Sequence, residues 1–167
     1  MKRLFLILLM NNLILAYNSE QLNQLINTKN CAQCDLSGAH LQGHNLNGAN
    51  LEYANLSNVN LSGALLKNAN LKHANLQNTI FSSSLLDGSD FSYSSATGAQ
   101  FVHTHLHHSQ FINTILARAN FTFSKAINTN FTNAHFDHSN FDHADLDGAI
   151  LTGATGNIIT DDRTANL

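Results

Sequence analysis

The chain has 167 residues and a formal net charge of −3; 11% of it is Asp, Glu, Lys or Arg, and it lacks proline and tryptophan. That length fits one domain, and a mildly acidic chain without a basic patch argues against nucleic acid as a partner. The longest apolar run, near the N-terminus, is too short and too polar for a membrane span once a signal is removed.

Residues 1–17 read as a secretory signal peptide: Lys2 and Arg3 give the positive start, Leu4 to Met10 the apolar stretch and Ala16 a small residue for cleavage. Asn11 and Asn12 interrupt the run, which leaves an uncleaved anchor or a cytosolic tail as the other reading. Export places the protein in a periplasm, a thylakoid lumen or the medium, depending on the host. Loss of Lys2 and Arg3 takes the formal charge from −3 to −5, with Asp137, Asp142, Asp145, Asp147, Asp161 and Asp162 gathered near the C-terminus.

Residues 18–33 are expected to form an N-terminal helical cap. Leu22, Leu25 and Ile26 share one helix face, and Asn18 is an N-cap candidate backed by Gln21. Cys31 and Cys34 then form a C-x-x-C pair at the junction with the next segment. In an exported chain a disulfide is the expected state. A redox-active pair lacks its usual βαβ setting, and a zinc site would need two more ligands, for which His40 and His44 are the local candidates.

From Cys34 to Ala154 the chain repeats every five residues, as in ANLEY, ANLSN, ANLKH and ANLQN. Steps of five from Leu36 land on Leu or Phe through Leu151, except at Ala96 and Ala126. The residue two places earlier is Ala, Ser or Thr, except Cys34, His44 and Val59. Such a unit cannot bury its own apolar side chain, so stability comes from stacking neighbours in a solenoid. Gly or Asn recurs two places after the Leu or Phe, where a corner favours residues that tolerate unusual backbone angles. Residues 155–167, with Ile158 and Ile159 ahead of a polar end, form the C-terminal cap or tail.

These residues resemble the pentapeptide-repeat family, whose consensus is close to A-(D/N)-L-x-x, and the C-x-x-C-D-L start is similar to that of exported members. The resemblance implies an all-β fold, a right-handed quadrilateral parallel β-helix of about six coils, with the Leu/Phe and the small residue pointing inward. If one coil takes twenty residues, positions that far apart stack at ~4.7–4.9 Å. Phe81, Phe101, Phe121 and Phe141 then form one core column and Phe91, Phe111 and Phe131 another on the opposite face. Glu52 with Lys72, Lys67 with Asp87 and Lys125 with Asp145 become cross-coil charge pairs. Asn45, Asn50, Asn55, Asn60, Asn70 and Asn75 are placed to form side-chain ladders.

Function is then a question of surface. His103, His105, His107 and His108 make the densest polar cluster; His105 and His107 flank inward Leu106, face outward and are candidate ligands for a divalent metal. The cluster Asp137, His138, Asp142, His143, Asp145 and Asp147 offers a second group. Tyr53, His73 and Tyr93 fall along one corner, and His103, Phe123 and His143 along another. With Leu65 and Leu85 they form a candidate surface for a protein or a glycan, the chain itself being a monomer or weak homodimer. A smooth rod without insertions does not predict an enzyme, so the expected role is a non-catalytic binding or structural module. Some relatives in the family mimic duplex DNA and bind DNA gyrase; sparse acids outside the C-terminal region make that the weaker reading here.

Overall fold

The computed structural model describes residues 18–160. The signal read over residues 1–17 and the polar end beyond 160 lie outside the described residues. The fold is a right-handed, four-sided parallel β-helix with a short helix at its N-terminal end. Parallel bridges run from Asn30↔Asn50 to His135↔Thr155 at a spacing of twenty residues.

Each side is made the same way. In the first, the Leu36 N–H donates to Asn55 O at 2.8 Å on the next coil, and Asn55 N–H returns to Cys34 O at 2.8 Å. The corner follows as a tight turn closed by Ala39 N–H on Leu36 O at 2.9 Å. Its third residue, Gly38, has φ +70°. Every later corner repeats that left-handed conformation, which suits Gly and Asn. Asn58, Asn68, Asn78 and Gly98 obey this preference; Tyr53, His73, Tyr93, His103 and Phe123 adopt the same angles without it.

The inward Leu and Phe side chains from Leu36 to Phe141 are buried in the narrow interior. Phe81, Phe101, Phe121 and Phe141 stack at 5.0, 4.6 and 4.5 Å, and Phe91, Phe111 and Phe131 at 4.5 and 5.2 Å. The two columns meet edge to face across the core, as Phe101 and Phe111 do at 5.6 Å. Ala96 and Ala126, which break the Leu/Phe rule, are fully buried beside these columns. Ala126 lies in the coil that carries Phe121, Phe131 and Phe136, so the small side chain balances three large ones in a space that cannot widen.

Several hydroxyls at the small inward position donate to a backbone carbonyl one coil earlier: Thr79 to Leu56, Ser109 to Leu86, Thr114 to Phe91 and Thr129 to Leu106, at 2.7–2.9 Å. Ser84, Ser94 and Ser124 are buried without a partner. A buried hydroxyl that gains no hydrogen bond is destabilising relative to a methyl group of similar size. Ser94→Ala is therefore expected to raise stability by about 1 kcal/mol; a urea midpoint that stays the same or falls would refute this.

Outside the core, side-chain amides ladder where like stacks on like. Asn50 donates to Asn30 at 3.2 Å and Asn70 to Asn50 at 3.3 Å; Asn55 donates to Asp35 at 3.0 Å and Asn75 to Asn55 at 3.1 Å. Asn45 and Asn60 do not extend these ladders, because Leu65 and Ile80 stack above them. Of the expected charge pairs, Lys67 meets Asp87 at 3.1 Å. Lys72 turns diagonally to Asp90 at 3.1 Å, and that hydrogen bond and charge raise its pKa, while Glu52 takes the Asn70 amide at 3.4 Å. Lys125 and Asp145 are bridged through their backbones, with no charged contact between them among the described residues.

Helix α1, Ser19–Thr28, closes the first coil. Asn18 caps it by accepting from Glu20 N–H and Gln21 N–H, both at 3.1 Å, and Leu25 is buried on the coil beneath. Gln21 does not turn back to complete a capping box. Its Oε1 accepts Asp35 N–H at 2.7 Å, and Gln24 Nε2 donates to Asn30 O at 2.9 Å. The helix thus satisfies backbone groups of a coil that has no coil before it. Ile26, read with the apolar face, stays 38% exposed. Cys31 and Cys34 are joined in a disulfide with a Cα–Cα distance of 5.2 Å, directly after the helix. The same bond removes them as ligands for a zinc ion with His40 and His44. His44 is only half-buried, its Nδ1 3.2 Å from Gln42 O, so the first coil accepts it without enclosing it.

At the other end the repeat continues past Ala154. Strand β1, Ser139–Asn140, pairs in parallel with β2, Ile158–Ile159. There Asn140 faces Ile159, nineteen residues on rather than twenty. Gly156, at φ +102°, absorbs the missing residue.

Candidate functional site

The twenty-residue register sorts the polar residues into columns. His105 follows Leu85 and precedes Lys125 in one outward column. One residue beyond the inward Leu row on the same face run Lys67, Asp87, His107 and Ile127. The flat strand geometry that points Leu106 inward turns its two neighbours outward together.

The consequence is a three-residue grouping. The nitrogens of His105 and His107 and a carboxylate oxygen of Asp87 lie within 4.8 Å of one another, all half-buried. The two imidazole rings approach at 5.9 Å, inclined at 75°, and so do not stack. Asp87 is held from two sides: its Oδ1 accepts His107 N–H at 3.2 Å and its Oδ2 meets Lys67 Nζ at 3.1 Å.

The structure separates the four-histidine cluster read from the sequence. His103 sits at a corner with φ +56°, its ring stacked 5.0 Å from Phe123. His108 occupies another corner with φ +60° and is exposed. Neither joins His105 and His107, and Asp87, one coil away, takes their place. The acidic group near the C-terminus is likewise dispersed. Asp137 meets His135 Nε2 at 2.8 Å, while His135 Nδ1 lies 3.0 Å from Thr155 Oγ1. His143 stacks 4.8 Å from Phe123 and lies 3.7 Å from Asp142. Asp145 accepts the N–H of Asp147 at 3.2 Å.

Two aromatic ladders stand on opposite corners of the rod. Tyr53, His73 and Tyr93 stack at 4.5 and 5.1 Å with rings 5° and 12° from parallel. His103, Phe123 and His143 do the same at 5.0 and 4.8 Å. Tyr53 and Tyr93 are 54% and 55% exposed, and Leu65 and Leu85 are half-buried in the His105 column, on the face that adjoins the His103 corner. Within each ladder a ring covers its neighbour's face, so edges and hydroxyls are what solvent meets. Ladder residues were legible as columns and as corner positions; the parallel stacking of their rings was not, because it lies in the side-chain rotamers.

Four inward rows joined by left-handed corners define a short-repeat parallel β-solenoid. The chain belongs to the pentapeptide-repeat family: the model described as Pentapeptide repeats matches in 8 copies, over residues 30–68, 69–107, 84–122 and 114–153. No curated protein matches the chain. Among solved structures it is similar to a pentapeptide repeat protein from the Arabidopsis thaliana thylakoid lumen, at 25% identity over 65% of this chain and 70% of that one, with a TM-score of 0.49. It is also similar to HetL, a pentapeptide repeat protein involved in heterocyst differentiation regulation in the cyanobacterium Nostoc, at 24% identity over 80% and 75% with a TM-score of 0.33. A third likeness is to QnrB1, a plasmid-mediated fluoroquinolone resistance protein, at 18% identity over 80% and 82% with a TM-score of 0.39. These scores carry neither partner nor compartment across to this chain, whose own residues must supply both.

Proposed function

We propose that this protein is an exported, non-catalytic solenoid that docks a protein partner along its corner ladders. The observation that carries the reading is the Tyr53–His73–Tyr93 ladder at φ +58°, +58° and +63°. Gly or Asn would occupy those corners at lower cost, and residues held in sparsely populated backbone regions cluster at binding sites. Stacking offsets part of that cost; exposure of two tyrosines fits recognition by another protein, for which tyrosine supplies rigid amphipathic area.

A glycan is the poorer ligand for this surface. Sugars stack on the faces of aromatic rings, and here each inner face is already covered by the next ring. Catalysis finds no support in the hydroxyls either, since Thr79, Ser109, Thr114 and Thr129 are buried and donate to the backbone. The Cys31–Cys34 disulfide supports export, because such bonds persist in oxidising compartments. Among the described residues no helix is long and apolar enough to cross a membrane.

The test has two arms. Cells expressing the tagged chain are fractionated and the mature N-terminus and the Cys31–Cys34 state are read by mass spectrometry; an intact, reduced, cytosolic chain would remove export. A photo-crosslinker at position 73 is then compared with one at Asn58, a corner residue on another edge. Crosslinks to one protein at position 73, absent at position 58 and lost in Tyr53→Asn/Tyr93→Asn, are expected. Equal labelling at both corners would sink the ladder as the docking surface.

A further inference from the structure

The geometry points to a transition-metal site formed by Asp87, His105 and His107. It is independent of the ladders, which lie on corners, and it draws on two successive coils: both imidazoles from one and the carboxylate from the coil before. The coil register alone brings the three together, since Leu85 bridges to His105 and thereby sets Asp87 beside His107.

The donor atoms lie within 4.8 Å of one another. Around a tetrahedral zinc ion bound at ~2.0–2.1 Å, ligand atoms stand about 3.3–3.4 Å apart. Side-chain rotation of three half-buried residues closes that gap without moving the backbone, which is pinned on both sides by coil-to-coil hydrogen bonds such as His105 N–H to Ser84 O at 3.1 Å and Leu106 N–H to Lys125 O at 2.8 Å. One ligand is already oriented. The His107 N–H holds Asp87 Oδ1 at 3.2 Å, while Oδ2 meets Lys67 Nζ at 3.1 Å.

Two imidazoles and one carboxylate suit zinc, copper, nickel or cobalt, whereas calcium and magnesium would want more oxygen donors. Three protein ligands leave a fourth position to water or to an incoming donor, the arrangement of an open rather than a closed structural site. Lys67 is the resident competitor. Its ammonium sits 3.1 Å from Asp87 Oδ2 and its side chain is 47% exposed, so an arriving cation displaces it into solvent. Lys125, stacked on His105 in the next coil, adds a second positive charge nearby. Both lysines weaken binding, and removal of Lys67 strengthens it.

The test uses the full chain without an affinity tag, Zn²⁺ by calorimetry and Co²⁺ by its visible absorption. A single tight class of site is expected, with the intense absorption of a near-tetrahedral cobalt ion. His105→Ala/His107→Ala should weaken Zn²⁺ binding by about 100-fold or more and Asp87→Asn by about 10-fold. Lys67→Met should tighten it about 2- to 5-fold, since an exposed ion pair contributes no more than ~1 kcal/mol. His138→Ala/His143→Ala should leave it unchanged. These are outward side chains, and unaltered far-ultraviolet dichroism and melting would establish that each variant is folded. Equal binding by the His105/His107 double variant, an indifferent Asp87→Asn, or a weaker Lys67→Met would each overturn the site.

Discussion

Phe111→Ala is expected to cost about 3–5 kcal/mol, the range for deleting a buried aromatic ring from a core that cannot collapse around the void. Phe111 is fully buried, stacks on Phe91 at 4.5 Å and Phe131 at 5.2 Å, and meets Phe101 and Phe121 edge to face at 5.6 and 5.9 Å. Removing it opens a hole that touches three coils at once. In a solenoid each coil contacts only its neighbours, so loss in the middle uncouples the two ends. Urea denaturation should show a lower midpoint and a broader transition as the halves unfold separately. A loss below about 1 kcal/mol would mean that the coils close over the gap, contrary to the close packing inferred from the stacked rings.

Gly156→Ala should act on one end only. At φ +102° an L side chain is strained, and a Cβ there would lie 2.6 Å from Asp137 N and 3.0 Å from Phe136 N, both backbone atoms that cannot yield. Strain of this kind costs roughly 1–3 kcal/mol before the clash is counted. The expected outcome is release of Ile158–Ile159 from Ser139–Asn140, seen as faster amide exchange at Phe141, whose N–H donates to Ile159 O at 3.0 Å. Gly43→Ala is the matched control: φ is +65° and nothing lies within 4 Å of the added carbon, so it should cost only about 1 kcal/mol and leave that exchange unchanged. Equal effects from the two substitutions would show that the close approach at Gly156 does not hold the last strand in place.

Much of this architecture was legible because the period is unbroken. Five-residue steps identify which side chains point inward, and twenty-residue steps identify which ones stack, so the Phe columns follow from arithmetic on the sequence. The same arithmetic could not choose between vertical and diagonal neighbours. Lys72 reaches Asp90 rather than Glu52 because long side chains on a flat sheet face reach both, and the choice lies in the rotamers. The twenty-residue step also places Asp87 beside His107, yet does not single it out as a third ligand, because arithmetic pairs its carboxylate with Lys67 and says nothing of how close it comes to both imidazoles. Gln21 fits an N-terminal capping box in one dimension, yet in three dimensions Asp35 N–H competes for it.

Asp35 also shows how local the electrostatics of this rod are. Hydrogen bonds from the Ser37 hydroxyl and N–H, with a smaller one from the Asn55 amide, hold its carboxyl below the usual value. A similar turn-forming bond from the residue two places on recurs at Asn55, Asn60, Asn120 and Asn130. Asparagine at those sites makes the same turn without carrying a charge.

The nineteen-residue last step has a meaning for assembly. A stack whose every layer matches the one below is a one-dimensional crystal, and its final layer is a template on which a second molecule could continue the growth. Ile158 still packs on the core above Ser139, and Ile159 stays exposed above Asn140, so the closing strand keeps the alternation of the layer below while the chain leading to it is one residue short. The last step turns at Gly156 with a backbone angle that no other corner among the described residues uses, φ +102°. A newcomer arriving end on would therefore meet side chains in phase but a backbone outline that departs from the regular layer it would have to copy.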